Sequence, residues 1–372
     1  MKVLYIRTSN IYDDSRATKE VIALVEKGYR VHVLGWARDG SARNRSEKVF
    51  SRYSDLITID FFSCQIEGGI GKKNIDKLAK WIIWTKKQVK IIGDIDIIHA
   101  CNLDSALGVY RYAKKHGIKV VYDIFDYYID SHSIPSILKG IIEKLEINII
   151  NVADATIICT EERKEQISRA TPQRLLVIHN SPDVHYVSCS ENKYDYAYCG
   201  ALFDRRLLKE IFSDYPKYNY LKFAIAGYGK YAELATKNDK DFQFFKYFGA
   251  VSYEQVIAIE SESKVISAIY EPTIRNHRLC APNKFYEALA LAKPVVVCKG
   301  TGIDKIVEKY KVGIVIEYNS SQFFEAIDYL VNNPKVCEVM GVNARKLYEN
   351  EYKWEIMKNR LLELYDYIKN GE

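Results

Sequence analysis

No run of this sequence stays apolar for the roughly 20 residues that a membrane-spanning helix requires. Methionine (3) and proline (8) are scarce among its 372 residues, and no low-complexity or disordered block interrupts it. The eight cysteines, at positions 64, 101, 159, 189, 199, 280, 298 and 337, never form a CxxC pair and mostly sit inside apolar runs. That pattern points to reduced, buried thiols and away from a disulfide framework or a zinc site. No Gly-x-Gly-x-x-Gly follows the first β-rich run, which disfavours a nicotinamide-dependent oxidoreductase. The opening MKVLYIRTSN has one Lys and too few apolar residues for a signal peptide, and reads as a first buried strand. A cytoplasmic globular protein is the expectation.

What is present is a balanced composition, 48% apolar and 27% charged. The length suits two domains with a cleft between them. The formal net charge of +6 is uneven: residues 1–90 hold 18 Lys/Arg against 10 Asp/Glu, so the rest of the chain sums to about −2. A basic first half suits an anionic membrane surface or a phosphorylated substrate, and KLAKWIIWTKKQVK (77–90) adds a Trp pair to the charge. The alternative is a solvated basic helix with Trp81 and Trp84 packed inward.

Strand and helix signals alternate from the start. Residues 3–8 form a β-rich run, 16–28 have helical spacing ending on Gly28, and 29–36 are again strand-like. The alternation continues through strands at 95–100, 119–124, 155–160 and 174–180, with helices predicted from Ser105 to His116, near 136–151 and from Glu161. After the polar turn SPDVHYVSCSENK the pattern restarts with strands at 194–200, 220–227, 245–251, 265–270 and 293–300. Two doubly wound α/β domains with parallel sheets follow, in which ligands sit beyond the carboxyl ends of the strands.

Against that frame the stretch APNKFYEALALAKPVVV (281–297) is unusual. Pro282, Asn283 and Lys284 open a helix whose first-turn amides can hold a phosphate, and Lys284 adds a full charge. Glu287, one turn in, can accept from the two hydroxyls of a ribose. A capped helix with one exposed Glu is the plain alternative. A second cationic junction follows the strand at 194–200, where Arg205 and Arg206 are placed at a helix start and either can grip a diphosphate; an ordinary surface Arg pair is the alternative. Asp94 and Asp96 mimic an Asp-x-Asp metal motif but precede their strand, so no metal site is expected. His99 and Asp104 lie at the far end of that strand; a structural hydrogen-bonding His is the alternative for His99.

The segments YCGALFDRR, FAIAGYG, YFGAVSYEQV and YEPTIRNHRLCAPNKFYEALALAKPVVV resemble the retaining glycosyltransferases of family 4, which have the GT-B fold. In the first half DDSRATKEVIALVEKGYRVHVL, DIDIIHACNLDS, VVYDIFDYYIDS and VIHNSPDV are similar to the family's landmarks, in order. The resemblance implies two Rossmann-like domains: an acceptor-binding domain over residues 1–183, a nucleotide-sugar-binding domain over 184–350, and a final helix over 351–372 that crosses back, with Trp354 as a packing anchor. It implies Glu287 on the donor ribose, the amides around Asn283, Lys284 and Phe285 at the diphosphate, and Lys284 with Arg205 or Arg206 as charge partners. Gly227, Gly229, Gly249 and Val251 would border the base, where Gly permits close backbone approach. Two positions depart from the family. A second Glu, expected eight residues before Glu287, is Leu279, which shifts sugar contacts toward Glu271, Asn276 or His277. An acceptor-side His is replaced by Asp126, with Asp123 close by; both also suit helix-capping or hinge roles.

The expected reaction is metal-independent transfer of a hexose-type sugar from a UDP- or GDP-sugar to an acceptor hydroxyl, with retention and no obligatory cofactor. Closure about a hinge near Asn180–Val184 would exclude water. The acceptor belongs to the first half, beside Arg16, His99, Asp104 and Asp123. A saccharide or lipid-linked saccharide at the inner membrane face, in cell-envelope polysaccharide synthesis, fits the basic domain; nucleic acid is not an expected partner. Asp14, Arg16 and Lys19 also suit a plain helix cap. A nucleotide-sugar epimerase of the same fold and a catalytically silent partner subunit are the alternatives.

Overall fold

The computed structural model describes residues 1–38, 49–66, 74–184 and 192–371. Cys189 and most of the polar turn after Asn180 lie outside them. The chain forms two compact units, one of residues Met1–His179 with Met357–Glu372 and one of residues Asn180–Ile356.

The first unit is built on seven strands: β1 (Lys2–Arg7), β2 (Arg30–Ala37), β3 (Ile57–Ser63), β4 (Ile97–Cys101), β5 (Lys119–Ile124), β6 (Ala155–Ile158) and β7 (Leu175–Val177). All pair in parallel, in the order β3-β2-β1-β4-β5-β6-β7. Order reverses between β1 and β4, so a crevice opens at their carboxyl ends. Strands β1 and β4 are buried on both faces, which explains their near-continuous apolar runs. One sheet face packs on the Ile75–Ile92 helix through Trp81 and Val89, and on the Ser136–Val152 helix through Ile149 and Ile150. Trp81 has no exposed surface and stacks between Trp36 (5.6 Å) and Trp84 (5.5 Å). The Trp pair of the basic helix therefore faces the core. The helix predicted from Ser105 to His116 is broken into Leu103–Ala106 and Tyr110–His116, and the one from Glu161 is a single 3-10 turn, Glu161–Glu165.

The second unit has six parallel strands, β8 (Tyr194–Cys199), β9 (Phe223–Ala226), β10 (Phe245–Tyr247), β11 (Ser263–Ala268), β12 (Val295–Cys298) and β13 (Gly313–Ile316). Their order, β10-β9-β8-β11-β12-β13, puts the reversal between β8 and β11. An aromatic cluster of Tyr196, Tyr215, Phe223, Phe245 and Phe323 fills one face.

The last helix, Trp354–Asn370, runs from the second unit into the first. Within the first unit it is held by Lys358 on Glu26 (2.8 Å), Asp366 on Lys27 (2.9 Å) and Arg360 donating to the Val177 carbonyl (3.2 Å). Trp354 is buried and belongs to the second unit, so the return begins only at Met357. No helix among the described residues is long and apolar enough to cross a membrane.

Candidate active site

The β8/β11 switch point gathers most of the residues singled out in the second half. After β8 the chain turns at Gly200, and after β9 it turns at Gly227, whose φ of +141° suits only glycine. The Gly227 amide donates to the Gly249 carbonyl at 2.7 Å. A side chain at 227 would collide with the Gly200 backbone, and one at 200 would collide with the Lys284 ammonium. The two loops therefore lie backbone on backbone, with the Lys284 ammonium against Gly200 and 4.7 Å from the Tyr198 ring centre. Burial and Arg206 disfavour the Lys284 charge, but Tyr198, Tyr270 and Glu287 outweigh them and hold its pKa above the ordinary lysine value.

Lys284 stands in the first turn of the Asn283–Ala290 helix, which has extended Pro282 before it and no side-chain cap. Its first-turn amides lack partners within the helix by geometry, although the Phe285 amide already donates to the Pro282 carbonyl at 3.0 Å. The Phe285 ring is fully buried against Tyr286 and Tyr352, so only its backbone can serve a ligand. Asn283 is exposed. Glu287 is only 4% exposed and is hydrogen-bonded by the Tyr253 hydroxyl. That is not the exposed carboxylate of a plain capped helix.

The Arg pair differs from expectation. The helix after β8 starts only at Leu208, so Arg205 and Arg206 lie in the preceding loop and not on a helix terminus. Arg205 (φ +72°) and Leu207 (φ +59°) both adopt the left-handed region, a strained turn held by the Leu207 amide on the Tyr318 hydroxyl (2.8 Å) and the Glu271 amide on the Arg205 carbonyl (3.1 Å). The turn aims Arg206 across the Tyr270 ring at 4.5 Å and leaves Arg205 exposed. Glu271 accepts from Thr273 Oγ1 (2.7 Å), and its carbonyl lies 3.1 Å from His277 Nδ1. Burial, with Arg206 and Arg205 adding to it, lowers the His277 pKa. Leu279 is buried, Gly229 approaches the Leu202 carbonyl, and Val251 packs beside Ala197 and Cys199.

Two residues escaped the sequence reading. Tyr253 and Glu260 stand seven apart on the Tyr253–Ser261 helix, hence on one face. Glu260 has no exposed surface, and among the described residues neither of its carboxyl oxygens has a hydrogen-bond partner. Burial first, then the Glu287 charge, push its pKa well above the ordinary range, against the pull of Lys284. A charged residue at a helical position otherwise reading VIAI was the available signal.

In the first unit the structure joins three of the four acceptor-side residues in one buried cluster. Arg16 Nη2 donates to both oxygens of Asp123 (2.6 and 2.8 Å), and its Nε donates to Glu20 (2.9 Å). His99 Nδ1 lies 2.8 Å from the Tyr365 hydroxyl, and its Nε2 lies 3.4 Å from Asp123. His99 and Asp123 have no exposed surface and Arg16 has 6%, so these side chains lock the core together and present nothing to an acceptor. Asp14 is the cap of the Ser15–Glu26 helix. His99, Cys101 and Asp123 bring three ligand-type atoms within 4.8 Å of one another, but Arg16 already occupies the Asp123 carboxylate. Asp104 is buried near Arg7 and Arg38; burial raises its pKa, with Arg7 opposing. Asp126 is different: its carboxylate is half exposed and accepts from Arg163 at 3.2 Å, while its amide donates to Asn102 Oδ1. It is a half-exposed acid just beyond the carboxyl end of β5.

Two parallel sheets with switch-point sites of this kind define a GT-B protein. A model of the glycosyl transferases group 1 matches residues 190–347, and one of glycosyltransferase family 4 matches residues 18–186. Among solved structures, sucrose-phosphate synthase from Thermosynechococcus elongatus is similar over 100% of both chains, with a TM-score of 0.72 and 14% identity. Anabaena HepE, solved with UDP-glucose, is similar over 98% of this chain and 99% of its own (TM-score 0.70, 15% identity). A Listeria monocytogenes protein described as a UDP-N-acetylglucosamine 2-epimerase is similar over 100% and 97% (TM-score 0.67, 12% identity). Comparison with curated protein sequences gives no significant match. The chain belongs to the family 4 type of GT-B glycosyltransferases.

Proposed function

We propose that the second unit binds a nucleotide diphosphosugar, UDP- or GDP-linked, and that the enzyme transfers a hexose-type sugar to an acceptor hydroxyl with retention. The observation that carries this reading is the Lys284–Glu287 pairing on one short helix: an ammonium over the Gly200 turn, and a buried carboxylate one turn behind it. Glu287 would receive the two ribose hydroxyls, exchanging or sharing its Tyr253 bond. The Asn283 and Lys284 amides, the Lys284 ammonium and the Arg206 guanidinium would hold the diphosphate, with exposed Arg205 available to close on it. Gly227, Gly229, Gly249 and Val251 would border the base, and Glu271 and His277 would meet the sugar in place of an acid at Leu279.

Breaking the anomeric C–O bond leaves negative charge on the β-phosphate. Lys284 and Arg206 stabilise that charge more in the transition state than before it, which is the work a metal does elsewhere. The acceptor oxygen attacks from the departing face and its proton passes to a β-phosphate oxygen, so that no protein nucleophile is required. On the first unit Asp126 is assigned to the acceptor. A saccharide, in particular a lipid-linked one in cell-envelope polysaccharide synthesis, suits the basic first half.

A thermal-shift screen against UDP, GDP, ADP and CMP donors tests the reading. One nucleotide should stabilise the protein, and Glu287→Ala should abolish the shift. No shift with any donor overturns the assignment, and formation of an epimer from donor alone replaces transfer by epimerisation.

A further inference from the structure

Several crossover helices of the first unit share one surface. The connections from β3 to β4, β4 to β5 and β5 to β6 all step the same way across the sheet, and right-handed crossovers then place their helices on one face. Their buried sides confirm it: Trp81, Tyr110 and Ile149, one from each helix, join the same core.

The outer sides of these helices are basic. Lys80, Lys86, Lys87 and Lys90 are exposed on Ile75–Ile92, Arg111, Lys114 and Lys115 on Tyr110–His116, and Lys139 and Lys144 on Ser136–Val152. Among the acids of these three helices only Asp76 is exposed; Glu146 is buried and Glu143 is half-buried beneath Arg169 (3.1 Å). Large aliphatic side chains stand among the cations. Ile83 and Ile91 are 55% and 73% exposed, and Ile137, Leu138 and Ile141 are 83%, 40% and 57% exposed. The last three occupy an arc of about 100° on the first turns of their helix, an apolar knob where a solvated helix would carry polar residues. Because that helix follows β5, the knob stands at the carboxyl edge of the sheet, eleven residues after Asp126.

We propose that this face docks on an anionic lipid bilayer, with Ile137, Leu138 and Ile141 entering the headgroup boundary and the lysines meeting acidic lipids. The charge selects the bilayer: its cations complement acidic headgroups, and the apolar knob has a hydrocarbon layer to enter, which a nucleic acid lacks. The proposal rests on the lipid-linked acceptor reading above and gives it a place, because the surface that meets the membrane lies at the edge carrying Asp126.

Co-sedimentation of the full chain with vesicles of phosphatidylglycerol and phosphatidylcholine, against phosphatidylcholine alone, tests it. Binding is expected only with the acidic lipid, weakened at least tenfold by 0.5 M salt and by Lys86→Glu with Lys87→Glu. Ile137→Ser with Ile141→Ser should lose about tenfold at low salt with an unchanged melting temperature, since both side chains are exposed. No binding to acidic vesicles, or full binding by the Ile137→Ser, Ile141→Ser protein, overturns the proposal. So does a dimer in light scattering that the same substitutions dissociate, because a second copy would then cover the face. The nucleotide thermal shift is read on the same preparations: its loss with vesicle binding intact sinks the donor assignment alone, and the reverse sinks the membrane face alone.

Discussion

Arg16 holds both carboxylate oxygens of Asp123 from the helix that follows β1, two strands away from β5 in the sheet, and both side chains are buried, Asp123 completely. Burial alone would raise the Asp123 pKa, yet Arg16 and His99 bring it below the ordinary value. An acid with a lowered folded pKa contributes stability above its unfolded pKa and loses it on acidification. Asp123→Asn should destabilise the protein by about 3 kcal/mol at pH 7, because Arg16 is left buried with Glu20 as its remaining carboxylate. Denaturant unfolding at pH 7 measures this, and a change below about 1 kcal/mol would show that the pair is dispensable.

Glu146 should give the protein a stability that declines from acid toward neutral pH. Burial pushes its carboxyl up to about 8, against hydrogen bonds from the Tyr122 hydroxyl and the Tyr128 amide. Between the ordinary glutamate value and 8 the unfolded chain ionises while the folded one stays protonated. Stability then falls by up to about 1.4 kcal/mol per pH unit across that window and levels off above it. Glu146→Gln should flatten this slope; an identical slope in the variant would show that Glu146 does not titrate there.

Glu260→Gln should stabilise the second unit at pH 8 and have little effect near pH 4. A buried carboxyl without a hydrogen-bond partner among the described residues, near the Glu287 charge, is held in its protonated form, and keeping the proton costs more as pH rises. Removing that cost is worth about 1–3 kcal/mol at pH 8. Thermal melts at the two pH values decide it, and equal effects at both would mean the gain is packing alone.

Lys284→Met should lower kcat by roughly 10²-fold, with a smaller change in KM, if the ammonium acts on charge that develops as the diphosphate leaves. Lys284→Arg should not restore the rate, because a planar fork on a longer side chain does not reproduce the compact ammonium that lies against Gly200. Steady-state kinetics with the donor identified by thermal shift provide the measurement; an unchanged kcat would remove Lys284 from the chemistry.

Much of the site was legible because local sequence controls it. The Pro282 approach, the Asn283–Ala290 helix and the Gly227 turn are short-range features whose backbone geometry follows from a few neighbouring residues. The Arg pair was misplaced because Arg205 and Leu207 take a left-handed conformation that helix propensity does not anticipate, and the turn is held by Tyr318 and Glu271, far away in sequence. The break at Leu107–Val109 escaped for a similar reason: periodicity continues across it.

Apolar periodicity and turn chemistry were sufficient for two parallel α/β units and for the stretch that carries Lys284 and Glu287, since both depend on spacing within about ten residues. Which charged residues are buried was decided only by packing. Arg16, His99 and Asp123 lie 107 positions apart at their extremes and meet because β1, β4 and β5 are neighbours, with Tyr365 added by the returning last helix. The same packing turned Trp81 into the core and left Ile137 and Ile141 outside, a distinction that their shared hydrophobicity conceals.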